Sequence, residues 1–133
     1  FARGCSQLRH FNMSLAGERI TDAGLIAIAA ASPLLEHLDV SLCRGVTDVG
    51  IRFVAQHCPE LRTVNFEHTA SITDASIIAV SLHCPQLREV NVSCAGSRIT
   101  ADAIVALSER CPELRCLGVR GTDNMTDAAL DLL

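Results

Sequence analysis

The sequence predicts an α/β solenoid with a right-handed winding, its parallel sheet on the concave side and its helices on the convex side. Three observations carry this. One phrase recurs along the whole chain at near-constant spacing. Within each copy the apolar period changes once, from the alternation of a strand to the spacing of a helix. One copy alone is too small to bury its own apolar face, so copies must stack.

The recurring phrase is His57-Cys58-Pro59-Glu60-Leu61, which returns as His83-Cys84-Pro85-Gln86-Leu87. Units open at Cys5, Ser32, Cys58, Cys84 and Cys111, in steps of 27, 26, 26 and 27 residues. This gives one domain over 1–133, with repeats near 5–31, 32–57, 58–83, 84–110 and 111–133. Phe1 to Gly4 reads as the tail of a preceding helix, and the last unit stops inside its helix. Neither end shows the polar cap that solenoids use, so a fragment of a longer array, or a chain whose ends pack on neighbours, is expected.

Each unit opens with a strand. Leu35, Leu38 and Val40 form the pattern L-x-x-L-x-V, repeated by Leu61, Val64, Phe66, by Leu87, Val90, Val92 and by Leu114, Leu117, Val119. Leu8, Phe11 and Met13 match it in the first unit. Such alternation suits a short strand with one buried face. An apolar-Thr pair follows: Ile20-Thr21, Val46-Thr47, Ile72-Thr73, Ile99-Thr100 and Met125-Thr126. Thr is a good N-cap, and the Asp after it in four units suits the positive end of a helix dipole. In the fourth unit Ala101 intervenes and the acid moves to Asp102. The helix then shows an inward stripe: Ile51, Val54, Ala55, Cys58 in one unit, Ile77, Val80, Ser81, Cys84 in the next. Proline stops it directly after the Cys. Cys5, Cys58, Cys84 and Cys111, with Ser32 filling the gap, therefore form an inward column at the helix ends.

The second unit reads SPLLEHLDVSLCRGVTDVGIRFVAQHC. It resembles the cysteine-containing class of leucine-rich repeats, with Cys43 at the mid-repeat cysteine. Ala16, Thr69, Ala95 and Thr122 replace that cysteine elsewhere, and Cys94 sits one place early. The resemblance implies a non-enzymatic protein-interaction module: the substrate-recognition region of an F-box-like ubiquitin ligase component, with a substrate protein and cullin-ligase components as partners. The alternative it implies is a structural scaffold subunit of a large intracellular assembly. No F-box segment reads within these residues.

Composition narrows the classes. A net charge of -4 and a pI near 5.7 argue against a nucleic-acid partner. No apolar stretch approaches the ~18 residues that would insert into a membrane, and no signal peptide reads at the start. Seven cysteines, an odd count in an aliphatic chain, point to reduced thiols and an intracellular protein, cytoplasmic or nuclear. All eleven basic residues are Arg. Codon bias explains that; a ligase receptor avoiding modification of its own lysines is the functional reading.

No catalytic, cofactor or metal site reads from the sequence. No C-x2-C pair supplies zinc ligands. His57 and His83 sit beside column cysteines at helix ends, where adjacent residues point apart. No nucleophile elbow or phosphate-cradling glycine loop is present. Cys116 points to the open sheet face, where a redox role competes with a solvent-facing or partner-packed thiol.

The concave face is the expected partner-binding surface. Alternation assigns it His10, Asn12, Ser14; His37, Asp39, Ser41; Thr63, Asn65, Glu67; Glu89, Asn91, Ser93; and Cys116, Gly118, Arg120. Its small, weakly acidic middle column suits a polar or mildly basic segment; a solvated face is the plain alternative. A second strip is the column Arg9, Arg62, Arg88, Arg115, interrupted by Glu36, with Glu60 and Glu113 placed to offset the repulsion. It reads as a solvated edge or as a strip for an acidic partner. On the helical face, Phe53 and Leu82 should point outward, with Ile26 and Ile78 on the flank.

Overall fold

The computed structural model describes residues 7–14 and 19–122. Cys5, Ala16 and the Met125-Thr126 pair lie outside the described residues. Strands and helices alternate: β1 (His10–Asn12), α1 (Asp22–Ala31), β2 (His37–Asp39), α2 (Asp48–His57), β3 (Thr63–Asn65), α3 (Asp74–His83), β4 (Glu89–Asn91), α4 (Ala101–Arg110) and β5 (Cys116–Gly118). The strands form one parallel sheet in chain order. Phe11, Leu38, Val64, Val90 and Leu117 stand in register across it.

The predicted apolar rungs meet the helices. Leu35, Leu61 and Leu87 are fully buried, as are Ile51, Val54, Ile77, Val80 and Leu107 from the helix side. At the first and last strands Phe11 and Leu117 are only half-buried, because each has a neighbouring strand on one side alone among the described residues. Each fully buried Leu or Ile contributes roughly 1.5–3 kcal/mol.

Helix starts follow the Thr positions. Thr47, Thr73 and Thr100 are extended N-caps whose hydroxyls accept the N–H of Val49, Ala75 and Asp102. Thr21 has the same backbone conformation but makes no side-chain cap bond. The following Asp does more than complement a dipole. Asp22 accepts from the backbone N–H and hydroxyl of Thr47 in the next repeat. Asp48 does the same to Thr73, at 2.8 and 2.7 Å, and takes the Ser76 hydroxyl at 2.6 Å. Asp74 does the same to Thr100. Each of these carboxylates thus ties one helix start to the next. Burial pushes the Asp48 carboxyl up, but hydrogen bonds from Ser76 and Thr73 outweigh it and hold the group below its ordinary value of 3.8.

Ser32, Cys58, Cys84 and Cys111 are the C-caps of the four helices. The thiols face inward as expected, and they also bond. Cys58 donates to the Ser32 carbonyl at 3.4 Å, and Cys84 to the Cys58 carbonyl at 3.5 Å. Cys111 donates more weakly to the Ser81 carbonyl at 3.9 Å. Burial raises these thiols to about 11, 12 and 11 for Cys58, Cys84 and Cys111. They stay protonated, which keeps them donors and makes them poor nucleophiles. The mid-repeat position follows the same rule. Cys43 donates to the Met13 carbonyl at 3.1 Å and Thr69 to the Val40 carbonyl at 2.9 Å. At Cys43 and Thr69 the side chain thus carries a donor that reaches the preceding repeat, whereas Thr122 donates to the Val119 carbonyl of its own repeat and Ala95 has no donor.

Candidate functional site

The outer positions of each strand form two rows on the open face of the sheet. His10, His37, Thr63, Glu89 and Cys116 align in one; Asn12, Asp39, Asn65, Asn91 and Gly118 align in the other. Glu67 and Arg120 lie just beyond β3 and β5, in a third row with Ser14, Ser41 and Ser93.

The middle row is less free than its polarity suggested. Its side-chain oxygens turn back on their own repeats and accept the backbone N–H two residues on. Asn12 holds Ser14 at 2.8 Å, and Asp39, Asn65 and Asn91 hold Ser41, Glu67 and Ser93 at 2.9 Å. Asp39 also takes the Ser41 hydroxyl at 2.6 Å. These Asx turns draw Ser41 and Ser93 under the surface, so both are buried instead of lining a solvated row. Gly118 completes the row because a Cβ there would lie 2.5 Å from the Asn91 side-chain oxygen. One residue past the turns of the second, third and fourth repeats the backbone is left-handed, at Leu42, His68 and Cys94 (φ 62, 56 and 55), and so it is at Gly121 (φ 69) after β5. The odd placement of Cys94 is therefore a turn position, not a displaced core cysteine.

What remains open to a partner is the first row and the flanks of the second. The His10 and His37 rings stack with centroids 4.2 Å apart and planes 11° apart. Burial lowers the His37 pKa, helped by the His10 and Arg62 charges and opposed by Glu36 and Glu89. The imidazole is neutral near pH 7. A groove of about 410 Å³ runs over His10, Asn12, His37, Asp39, Thr63 and Asn65. A second, of about 250 Å³, continues over Glu89, Asn91 and Cys116. Cys116 is exposed there. Asp39, Glu67 and Glu89 make no ion pair among the described residues. The face is thus weakly acidic up to Arg120.

Two other expectations change. Glu36 does not interrupt the basic column but joins it, 3.6 Å from Arg9 and 3.5 Å from Arg62. Glu113 pairs with Arg88 of the previous repeat at 3.8 Å, and Glu60 accepts from Gln86 at 3.3 Å, because neighbouring strands lie closer than residues two apart on one strand. Phe53 does not point outward. It is half-buried against the core and stacks on His57 at 3.8 Å. Leu82 is exposed as expected, and Val49 joins it. His57 and His83 end α2 and α3. Among the described residues no three His, Cys, Asp or Glu side chains gather as a metal would need, and no helix is long and apolar enough to cross a membrane.

Sequence reasoning missed the inter-repeat role of Asp22, Asp48 and Asp74. The signal was present as a Thr-Asp pair recurring every 26 or so residues.

Residues 31–55 match a family model described as Leucine Rich repeat. This is the unit whose sequence follows the consensus best. Among solved structures, the C-terminal domain of tropomodulin from Caenorhabditis elegans is similar over 98% of this chain and 83% of its own, with 16% identity and a TM-score of 0.71. A structure of the Rad7 and Elc1 complex in yeast is similar over 82% of this chain, with 21% identity and a TM-score of 0.64. The present chain spans 35% of that yeast chain. No curated protein sequence matches significantly.

Proposed function

We propose that this chain, a leucine-rich-repeat solenoid by fold, is a non-enzymatic protein-interaction module that receives a partner segment on its concave face. The observation that carries this is the two-part groove over His10, His37, Thr63, Glu89 and Cys116, whose side chains the core does not use. Its unpaired carboxylates favour a polar or mildly basic segment in extended form. The face has no Trp or Tyr and, within the grooves, no Arg, so binding here is broad instead of concentrated in a few anchors.

The finer reading is the substrate-recognition region of an F-box-like ubiquitin ligase component. It is supported by the cysteine-containing repeat consensus and by the likeness to a yeast repeat chain solved in a complex with a second protein. The test is affinity purification of the tagged protein from cells, with a Glu67→Arg/Glu89→Arg variant beside it. Cullin subunits should accompany both forms, and the substrate should accompany the parent form only. Stoichiometric recovery in a stable assembly without ubiquitin machinery would replace the ligase reading with the scaffold one. A partner retained equally by the charge-reversed variant would remove the concave face from its role.

A further inference from the structure

One residue ahead of each strand, Arg9, Glu36, Arg62, Arg88 and Arg115 form a column along the sheet edge. Its backbone is held rigidly. The Arg9 carbonyl accepts the N–H groups of both Glu36 and His37, and the Glu36 carbonyl those of Arg62 and Thr63. Arg62 does the same for Arg88 and Glu89, and Arg88 for Arg115 and Cys116, all between 2.8 and 3.1 Å.

The charges in this column alternate and then stop alternating. Glu36 lies between Arg9 and Arg62, within 3.6 Å of each, with its side chain only 17% exposed. Past Arg62 the next two positions are both Arg. With strands ~4.8 Å apart, three cations fall within ~10 Å along the edge. Arg88 reaches out of the column to Glu113, in a solvent-exposed pair of little worth. Arg115 makes no ion pair among the described residues. Arg62, Arg88 and Arg115 line one open cleft of about 290 Å³, with Glu89 on its concave side.

We propose that this cleft docks the carboxylates of an acidic protein segment, which stand to Arg88 and Arg115 as Glu36 stands to Arg9 and Arg62. The molecule already shows the interaction one step along the same column. The guanidinium fork suits a carboxylate, and the fixed backbone spares the cost of ordering the row. Glu89 turns such a segment away from the sheet face and toward the edge. The cleft borders the concave groove and shares His37, Thr63 and Glu89 with it, but the arginines that would hold the carboxylates lie outside that groove, so the test below is read on them alone. The net charge of -4 opposes any general attraction of an acidic peptide, so binding must be local.

The test is fluorescence anisotropy of a labelled octaglutamate peptide with the 133-residue chain. Arg88→Gln/Arg115→Gln should weaken binding about tenfold or more. Arg44→Gln/Arg52→Gln, with the same change in charge, should leave it within about twofold. Glu113→Gln, which releases Arg88, should tighten binding about twofold, a gain that misfolding cannot produce. Equal loss in both double variants, weakening by Glu113→Gln, or binding of a phosphoserine peptide with none of octaglutamate overturns the proposal.

Discussion

At the helix starts, the carboxylates of Asp22, Asp48 and Asp74 leave their own repeats and hold the Thr of the next one. At the strand exits, Asn12, Asp39, Asn65 and Asn91 turn back and hold a backbone N–H two residues on. Both rows use short acidic or amide side chains at a fixed place in every unit. One row stitches repeats together; the other chiefly shapes its own repeat, with one long cross-repeat bond from the Asn65 amide to Asp39 at 3.4 Å. The difference comes from what lies within reach. At a helix start the neighbour's N-cap offers both a hydroxyl and an orphan N–H. At a strand exit the neighbouring strand's backbone groups are already engaged in the sheet, leaving the residue's own turn.

This contrast predicts unequal consequences. Asp48→Ala should be the most damaging change, costing about 2–3 kcal/mol in urea unfolding, because it strands the Thr73 N–H and the Ser76 hydroxyl at once. A cost below that of an Asx-turn variant would erase the distinction between the rows.

Acid should reproduce part of that loss reversibly. The folded Asp48 carboxyl titrates below its ordinary value, so its contribution is complete above pH 3.8 and disappears as pH falls through the folded value. Unfolding followed between about pH 5 and 2 should therefore be less steep in Asp48→Asn than in the parent.

Asn65→Ala should cost only about 1 kcal/mol, since it loses one neutral turn bond and one long bond to Asp39, and water can replace both. Exchange of the Glu67 amide hydrogen should quicken while that of the Thr73 amide does not. Quickening of both would mean that the strand-exit row also couples repeats.

The smallest effect is a gain. Leu42 holds a left-handed backbone that Gly121, at the same place three repeats on, adopts without strain. Leu42→Gly should stabilise the fold by up to about 1 kcal/mol, the relief of the Cβ clash less the added freedom of the unfolded chain. A measurable destabilisation would show that the Leu42 side chain packs more than its 39% exposure suggests.

The repeat spacing, the strand and helix positions and the inward cysteines were all legible in the sequence, because each is a pattern within one unit. Bonds between units were not. Asp22 and Thr47 are 25 residues apart, and nothing local distinguishes a carboxylate that caps its own helix from one that caps the next. The same blindness made Glu36 look like a break in a column of arginines. Phe53 was misplaced for a different reason. A helical wheel gives direction only, and an aromatic ring can fold back onto His57 one turn later. On the open face, alternation placed the two strand rows but could not show that Ser41 and Ser93 are buried or which oxygens are committed to turns.

The doubled carbonyl acceptors of Arg9, Glu36, Arg62 and Arg88 carry one more consequence. At this edge they fix the register between units through the main chain, so the sheet there does not depend on which side chains are mounted on it. Such a row behaves like a rack of interchangeable type. Drift can reset its letters between acid and base, and so re-address the edge to a new client, while the frame that carries them stays unchanged.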